Sequence, residues 1–259
     1  MSYTKVAWFS PTQDLRHKAG LEWYPPEDWK GPMDQKKIWD YFQREGIEIF
    51  SGSVYRLEFL FRKACRLARK RKIRVLNIGV GNGWLEERCR RQGWETCSLD
   101  PSEAAIEPLI ARGIDGRIGL MEANPFPDGD FEVVFCSEVI EHLPEENATK
   151  GLSEIRRVLR KGGHLVGTVP YREVLFEGLV VCPGCGEKFH RYGHLQSFDK
   201  KKMKDLLGDA GFRNIRLITY AFPDHKGVLI NRLKCSLHYL LGRIGSPLAA
   251  PFLFFIARK

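Results

Sequence analysis

The chain has 259 residues, of which 43% are hydrophobic and 28% are charged, and its formal net charge is +9, which favours acidic partners. This length and apolar content can bury a sizeable core, whereas the apolar runs are too short for a membrane span and the first residues lack the pattern of a signal peptide. Seven cysteines, an odd number scattered over a long chain, argue against a disulfide framework and favour a reducing compartment, so we expect a cytoplasmic protein.

The segment 1–52 is rich in aromatic side chains and precedes a predicted main domain at 53–259. One interpretation is a cap that contributes aromatic walls to a substrate pocket, since such pockets are concave and mostly apolar. The other is an extension that packs on the core. Both predict an ordered segment, because so many aromatic side chains are costly to leave in water. The aromatic residues are Trp8, Phe9, Trp23, Tyr24, Trp29, Trp39, Tyr41, Phe42 and Phe50.

A helix is predicted at 53–70, with Ser53 as its N-cap and apolar residues at helical spacing. Its end carries a run of cations that could contact nucleic-acid phosphates or an anionic membrane surface. We prefer a solvated helix end, where cations suit the helix dipole, because no aromatic residues are interleaved with them. The cations are Arg66, Arg69, Lys70, Arg71, Lys72 and Arg74.

A glycine-rich turn directly follows the apolar segment 73–78, which predicts the first strand and ligand loop of a nucleotide-type α/β domain. Its spacing is G-x-G-x-G, from Gly79 to Gly83. The dinucleotide fingerprint needs its third glycine where Trp84 stands, and the ending of a phosphate loop is missing. Asp100, at the end of a second apolar segment, can accept hydrogen bonds from ribose hydroxyls. Together these features favour an adenosine ligand without a pyrophosphate.

Several segments between about 73 and 212 resemble, in order, the motifs of the class I S-adenosylmethionine-dependent methyltransferases. The matching segments are 77–83 for the first motif, 98–101 for the second, 124–134 for the loop and fourth strand, 139–143 for the helix start after that strand, and 159–165 for the turn into the fifth. One position departs from the family. The acid usual at the start of the first motif is Asn77, which can form hydrogen bonds but brings no charge to the ammonium end of the ligand.

Strands and helices alternate from Ile73 onward, which predicts a mostly parallel sheet with helices on both faces. The resemblance implies a Rossmann-like α/β fold of seven strands with an antiparallel last strand. The predicted strands lie near 73–78, 94–99, 116–120, 131–136, 163–169, 213–219 and 252–257, and the helices near 84–91, 103–112, 147–160 and 199–210. The resemblance implies that Leu120 and Met121, at the end of the third strand, lie beside the adenine. The full set of residues expected to hold S-adenosylmethionine at the carboxyl ends of the strands is Asn77, Gly79, Gly81, Gly83, Asp100, Pro101, Leu120, Met121 and Ser137.

A candidate catalytic group of three residues follows the fourth strand. If a helix begins just after Ser137, then Glu138, Glu141 and His142 share one face of it. We predict His142 as the general base, since its ordinary pKa lies near neutrality. A second interpretation is a divalent-metal site, because E-x-x-E-H resembles the metal-holding pattern of ubiquinone-pathway O-methyltransferases and of small-RNA 3′-end 2′-O-methyltransferases, whose later histidine His194 could supply. A third is a helix-start feature without metal.

A Cys/His-containing insertion is predicted at 171–198. Cys182 and Cys185 are spaced C-x-x-C, and His190 and His194 follow as H-x-x-x-H, a set that suits tetrahedral, structural zinc. A short loop with little apolar content gains order from a metal more readily than from packing. A redox dithiol is one alternative, and a three-ligand site that leaves His194 facing the substrate is another.

A helical lid is predicted at 225–245, where leucines recur at helical spacing with cations around them. This surface could touch a membrane or a lipid-linked substrate. We prefer an ordinary lid or core helix, since any surface helix shows amphipathicity.

Taken together, these patterns predict an enzyme that transfers the methyl group of S-adenosylmethionine to an oxygen or nitrogen of a small-molecule acceptor. One alternative is an RNA 3′-end 2′-O-methyltransferase that uses a divalent metal, which the basic charge favours. Another is a non-catalytic cofactor-binding protein, for which Asn77 is the only indication. The acceptor itself does not follow from the sequence, since pockets in this fold are built from inserted segments.

Overall fold

In the computed structural model, the described residues are built around a seven-stranded sheet. The described residues are 35–44, 50, 52–68, 72–222, 229–244, 246 and 252–259, without the side chains of 35, 36 and 229–235. Most of the predicted aromatic extension, the cations at 69–71 and both ends of the predicted lid lie outside these ranges.

Helices and strands alternate through most of the chain. The helices are α1 (Gln35–Arg44), α2 (Val54–Leu67), α3 (Trp84–Arg91), α4 (Glu103–Ile110), α5 (Glu145–Val158), α6 (Lys200–Asp209) and α7 (Leu229–Arg243). The strands are β1 (Arg74–Ile78), β2 (Glu95–Asp100), β3 (Asp115–Ile118), β4 (Phe131–Ser137), β5 (Leu159–Pro170), β6 (Leu179–Val181), β7 (Lys188–His190), β8 (Arg213–Tyr220) and β9 (Phe252–Arg258). Short 3₁₀ turns lie at Met121–Ala123, Ile140–His142 and Leu175–Gly178.

The strand order of the main sheet is β3-β2-β1-β4-β5-β9-β8. Strands β1 to β5 pair in parallel, and β9 runs antiparallel to both of its neighbours, β5 and β8. This confirms the predicted mostly parallel seven-stranded sheet with an antiparallel last strand. Because the order reverses between β1 and β4, the loops that follow these two strands flank one crevice at the carboxyl edge of the sheet.

Adjacent residues along the central strands belong to two different hydrophobic cores. In β4, Val134 and Cys136 pack in the core that contains residues of α5 and α6, whereas Val133 and Phe135 pack in the core that contains residues of α2 and α3. Since successive side chains of a strand point to opposite faces, this alternation buries both faces of the sheet. The strand ends that carry the ligand loops are therefore firmly positioned.

Two element boundaries differ from the prediction at the same point of the chain. Helix α5 ends at Val158, and β5 begins at Leu159 rather than near 163. The register of β5 against β4 shifts between Phe131 and Val133, so the first residues of β5 pair before an irregularity that contains the glycine turn. Because β5 begins before this irregularity, its first residues show no apolar alternation in the sequence. The pattern therefore placed the start of the strand too late.

The predicted insertion contains a small hairpin of its own. Strand β6 pairs antiparallel with β7, from Leu179 opposite His190 to Val181 opposite Lys188. The two ends of the insertion meet, because Tyr171 and Phe198 form an isolated β-bridge. The segment therefore leaves and rejoins the carboxyl edge of the sheet at one place.

Helix α7 occupies most of the predicted lid, and its described apolar side chains include the exposed Leu237 and Leu240. None of the helices in the described ranges has both the length and the apolar character needed to cross a membrane. A contact of this helix with a membrane surface stays a prediction.

The sheet predicts a large difference between two glycine-to-alanine substitutions. A Cβ at Gly167 of β5 would lie 1.9 Å from the main-chain oxygen of Cys136 and 2.4 Å from the Phe255 ring, whereas a Cβ at Gly208 of α6 would meet nothing within 4 Å. We expect Gly167→Ala to lower the free energy of unfolding by about 2 kcal/mol or more, because the strands must move apart. Gly208→Ala should leave it within about 1 kcal/mol of the original value or raise it. Urea unfolding of both variants measures the difference, and equal stabilities would contradict the packing described above.

Candidate active site

The glycine loop after β1 approaches the loop after β4 closely. Gly79 has a φ of +80°, and a Cβ there would lie 2.5 Å from Cγ2 of Val139. Gly81 has a φ of +58° and faces the ring of Phe50, whose nearest atom would be 3.4 Å from an added Cβ. Both positions therefore need glycine, for the backbone conformation and, at Gly79, for the close approach. The loop has the form required to bring main-chain amides against a ligand.

Asp100 at the end of β2 holds the glycine loop in place. Its Oδ2 accepts a hydrogen bond from the main-chain N–H of Val80 at 2.9 Å, and its Oδ1 accepts one from Ser102 at 2.9 Å. Burial raises the pKa of the Asp100 carboxyl. Each carboxylate oxygen has a second lone pair, so ribose hydroxyls can still bind here. Pro101, the next residue, is half-buried.

Asn77 contacts an acid that the sequence did not indicate. The Asn77 Nδ2 atom donates to Oε1 of Glu86 in α3 at 2.7 Å, and the Ser98 hydroxyl donates to the same oxygen at 3.1 Å. Burial raises the pKa of Glu86 to about 7, although these hydrogen bonds oppose the shift. The only sign of Glu86 in the sequence is that it is an acid in the first turn of the helix that follows the glycine loop.

The residues predicted beside the adenine differ in exposure. The Leu120 side chain is 49% exposed at the end of the β3 loop. The Met121 side chain is buried, and its Sδ atom lies 3.9 Å from Sγ of Cys136, so only the backbone of Met121 can face a ligand. The Ser137 hydroxyl hydrogen-bonds the Thr168 hydroxyl at 2.7 Å, at the end of β4.

The helix that would place Glu138, Glu141 and His142 on one face does not form. Glu138 has a φ of +57°, Ile140–His142 is a 3₁₀ turn, and α5 begins only at Glu145. A left-handed conformation is costly for a residue with a Cβ, and such strain often marks functional sites. The Glu138 N–H donates to the Thr168 carbonyl at 2.9 Å, which helps to hold this conformation.

His142 is buried and neutral. Burial lowers its pKa well below the ordinary value, and the charge of His194 lowers it further. Its Nδ1 atom lies 3.2 Å from the carbonyl oxygen of Gly193, and since a carbonyl only accepts, Nδ1 carries the proton. The lone pair of Nε2 is then available to a proton or a metal. The ring of Trp39 in α1 packs against His142 with a centroid distance of 4.5 Å.

Helix α1 spans the two halves of the crevice, although the sequence pattern did not predict it. Trp39 packs on His142, and one residue later the Asp40 carboxylate accepts a 2.7 Å hydrogen bond from the Ser102 hydroxyl, next to Asp100. The described end of the aromatic segment therefore contacts both His142 and the turn that follows Asp100.

His194 reaches the catalytic group because the insertion is hydrogen-bonded to the loop after β4. The main-chain N–H groups of Leu195 and Gln196 donate to the Glu141 carbonyl at 2.8 and 3.1 Å, and the Gln196 side chain donates to the Leu143 carbonyl at 2.6 Å. The Nδ1 atom of His194 lies 2.5 Å from Oε2 of Glu173, which leaves Nε2 as its free nitrogen. Glu173 was missed, because no spacing signal links positions 173 and 194.

Three potential metal ligands converge at this point. One donor atom each of Glu141, His142 and His194 lies within 4.8 Å of the others. Both carboxylate oxygens of Glu141 and Oε1 of Glu138 are buried without a hydrogen-bond partner. Burial, and then the charge of Glu138, raises the pKa of the Glu141 carboxyl well above its usual range. Unpartnered buried carboxylate oxygens beside the neutral His142 ring and the Nε2 atom of His194 form a donor set that fits a divalent cation.

The predicted zinc site does not assemble among the described residues. Cys182 and Cys185 lie at the turn of the β6–β7 hairpin, while His190 lies at its base, opposite Leu179. The Cys182 N–H pairs with the Glu187 carbonyl at 2.8 Å, so three residues of strand, or about 10 Å, separate this end from His190. The compressed spacing in the sequence gave no sign that a strand runs between the ligands.

The Nδ1 atoms of His190 and His194 both have partners within the insertion. The Nδ1 atom of His190 accepts from the main-chain N–H of His194 at 3.1 Å, and its Nε2 lies 3.7 Å from Oε1 of Glu173. Glu173, His190 and His194 form a second group of potential ligands. Because the Nδ1 atoms of both histidines already have partners, we interpret this group as the support of His194.

The fold and the glycine loop define a class I S-adenosylmethionine-dependent methyltransferase. A family model described as a methyltransferase domain matches residues 54–217, which is more than half of the chain, and the chain belongs to this family. The mostly parallel sheet with its reversed strand order, the glycine loop after β1 and Asp100 at the end of β2 agree with this family.

Relatives and solved structures agree with this class. A probable S-adenosylmethionine-dependent methyltransferase of Mycolicibacterium smegmatis is 30% identical over 53% of this chain and 51% of its own length. A ubiquinone biosynthesis O-methyltransferase of Vibrio cholerae is 26% identical over 58% of this chain and 62% of its own. The matches thus span between half and two thirds of these relatives.

The fold is similar to that of solved methyltransferases. A structure of phosphoethanolamine N-methyltransferase 2 from Haemonchus contortus with S-adenosyl-L-methionine matches with a TM-score of 0.62 and 16% identity, over 89% of this chain and 61% of that one. An S-adenosylmethionine-dependent methyltransferase from Archaeoglobus fulgidus matches with a TM-score of 0.57 and 17% identity, over 86% of this chain and 99% of that one.

The glycine loop predicts a selective loss of cofactor affinity. Gly79 and Gly93 have nearly the same φ, +80° and +81°, but a Cβ at Gly93 would meet nothing within 4 Å. Both alanine variants should lose about 1 kcal/mol or more of stability from the strained backbone. Only Gly79→Ala should also weaken binding of S-adenosylhomocysteine, by at least about tenfold in calorimetry. Equal affinities of the two variants would contradict the assignment of this loop.

The hairpin turn predicts an order of thiol reactivity. Main-chain N–H groups of Cys185 and Gly184 lower the pKa of the Cys182 thiol, whereas burial raises the pKa of Cys97 to about 11. Since the thiolate is the nucleophile, iodoacetamide should label Cys182 well before Cys97 in the folded protein at neutral pH. Peptide mass spectrometry over time measures the order, with the urea-unfolded chain as the control in which the difference disappears. Similar rates in the folded protein would contradict the exposed hairpin.

Proposed function

We propose that this chain transfers the methyl group of S-adenosylmethionine to an oxygen of a small-molecule acceptor, with Glu138, Glu141, His142 and His194 as the acceptor-binding group. The observation that carries the proposal is the convergence of Glu141, His142 and His194, whose donor atoms lie within 4.8 Å of one another beside the cofactor loop. The name of the Vibrio cholerae relative, a ubiquinone biosynthesis O-methyltransferase, supports oxygen over nitrogen as the acceptor atom.

The protonation states of these residues suit the removal of a proton from the acceptor. His142 is neutral, with Nδ1–H directed to the Gly193 carbonyl and Nε2 free to accept. Methyl transfer to a hydroxyl releases one proton, so a neutral imidazole next to the acceptor can take it. Glu138 and Glu141 add buried carboxylate oxygens that lack partners and can hold acceptor hydroxyls or a cation.

The same donors fit a divalent cation. Glu141, His142 and His194 would be its ligands, with Glu138 beside them. Two imidazoles favour a first-row ion such as Mn²⁺, Co²⁺ or Zn²⁺ over Mg²⁺, which prefers oxygen ligands. Such an ion, when bound, would take the Nε2 lone pair of His142, which would then be a ligand instead of the base. The ion would orient the acceptor oxygens and make an acceptor hydroxyl more acidic.

Two further residues support this group. Glu173 holds the Nδ1 of His194, a hydrogen bond that fixes which nitrogen faces a ligand. Trp39 packs edge-on against His142 and excludes water from one side of it. An acceptor with a flat apolar body and neighbouring oxygens would complement such walls.

A second candidate is an RNA 3′-end methyltransferase. The same ligand set serves it, and the net charge of +9 favours a polyanionic substrate. The two candidates differ in salt dependence. Affinity for RNA should fall steeply as salt is raised from about 50 to about 200 mM, whereas affinity for a neutral small acceptor should change little.

Substitution of Glu141 should separate metal binding from folding. Glu141→Gln removes a buried carboxylate whose oxygens lack partners, so without metal its melting temperature should equal or exceed that of the original protein. Addition of Mn²⁺ should raise the melting temperature of the original protein but not that of Glu141→Gln or His194→Asn. Binding of S-adenosylhomocysteine should stay intact in both variants.

Matched controls come from the same residue types outside the group. Glu145→Gln and His238→Asn change exposed side chains and should keep the response to Mn²⁺. With a panel of catechols and vicinal diols, methyl transfer should require the metal and stop on chelation. A chain that methylates these acceptors equally well after chelation would contradict the metal, and one that methylates only amines would contradict the oxygen acceptor.

A further inference from the structure

The loop after β1 has a buried acid directly behind it. Glu86 is fully buried in the first turn of α3, and its Oε2 atom has no hydrogen-bond partner. No lysine, arginine or histidine in the described part of the chain forms an ion pair with it. An unpaired carboxylate in the interior is costly, so its presence needs a compensating charge or a function.

The hydrogen bonds of Asn77 lead from this acid to the ligand crevice. The Nδ2 atom of Asn77 donates to Glu86 at 2.7 Å and lies 3.4 Å from the Gly79 carbonyl. Both acceptors engage the amide nitrogen, so the remaining polar atom of the side chain is Oδ1, an acceptor. Asn77 is the penultimate residue of β1, two residues before Gly79, at the edge where the sheet order reverses and ligands bind.

The cofactor of this class carries positive charge at its amino-acid end, on the ammonium and on the sulfonium. We propose that Glu86 is a positioning residue that turns the oxygen of Asn77 toward the crevice and supplies, one hydrogen bond behind it, the negative charge that the family usually places at position 77. Asn77 and Glu86 together thus replace a single acid, and the pair selects a cationic ligand.

This arrangement makes cofactor affinity depend on pH. The groups that face Glu86 are Asn77 of β1, Ser98 and Asp100 of β2, and Cys89 of its own helix. The pKa of Glu86 is raised to about 7, mainly by burial, so the carboxyl loses its proton near neutrality. A cationic ligand binds the ionised form better, so affinity for S-adenosylmethionine should rise with pH across this range.

The test is calorimetric titration at about pH 6 and about pH 7.5, where the ammonium of the ligand stays mostly charged. In the original protein, S-adenosylmethionine should bind several-fold more tightly at the higher pH. Glu86→Gln keeps the acceptor for Asn77 and fills the position of Oε2 with an amide, so the variant should fold. It should bind about tenfold more weakly at the higher pH and show little pH dependence.

Two comparisons distinguish positioning from a merely structural role. Adenosine lacks the amino-acid end, so its affinity should be the same in Glu86→Gln as in the original protein. Asn77→Asp in the Glu86→Gln background restores a negative charge at the crevice and should recover the affinity for S-adenosylmethionine. The proposal is overturned if Glu86→Gln binds S-adenosylmethionine normally at the higher pH, or if it loses adenosine and S-adenosylmethionine to the same extent. These titrations need no acceptor or metal, so their outcome is separate from that of the proposed acceptor site.

Discussion

The carbonyl oxygen of Glu141 accepts two main-chain hydrogen bonds from the far side of the insertion, and the site depends on this contact. It joins Leu195 and Gln196 to the loop after β4. The carbonyl of Gly193, two residues before Leu195, fixes which nitrogen of His142 carries the proton. The Nδ1 atom of His194, the residue between Gly193 and Leu195, is hydrogen-bonded to Glu173. Four polar side chains from three separate segments are thereby held together outside any α-helix or strand. They are Glu141, His142, Glu173 and His194. A site built in this way keeps its geometry only while the insertion stays docked on the sheet edge.

Most of the fold could be predicted because local physical rules agree along the chain. Strands buried on both faces give short apolar runs, and glycines mark the backbone that must approach a ligand. Val133 to Cys136 alternate between two cores, so an unbroken apolar run there already indicates a covered strand. The antiparallel end of the sheet followed from resemblance rather than from pattern, since the apolar run 252–257 says nothing about direction.

The site was predicted less well, because its geometry depends on contacts that sequence spacing does not express. Glu138, Glu141 and His142 do come together, but through a left-handed residue and a 3₁₀ turn instead of a helix. His194 has a partner in Glu173, and the hairpin separates His190 from Cys182 and Cys185. Glu86 gave no signal beyond its place in a helix. Only its buried hydrogen bond with Asn77 links it to the start of the glycine loop.

Under the proposed function, the carboxylates and imidazoles near the loop after β4, rather than the hairpin cysteines, form the metal and acceptor centre. Zinc can bind either ligand set, so its position in a crystal grown with Zn²⁺ and S-adenosylhomocysteine decides between them. Anomalous diffraction at the zinc edge should show an ion bound by Glu141, His142 and His194. An ion held only by Cys182 and Cys185, with His190 or His194 turned toward it, would contradict this account.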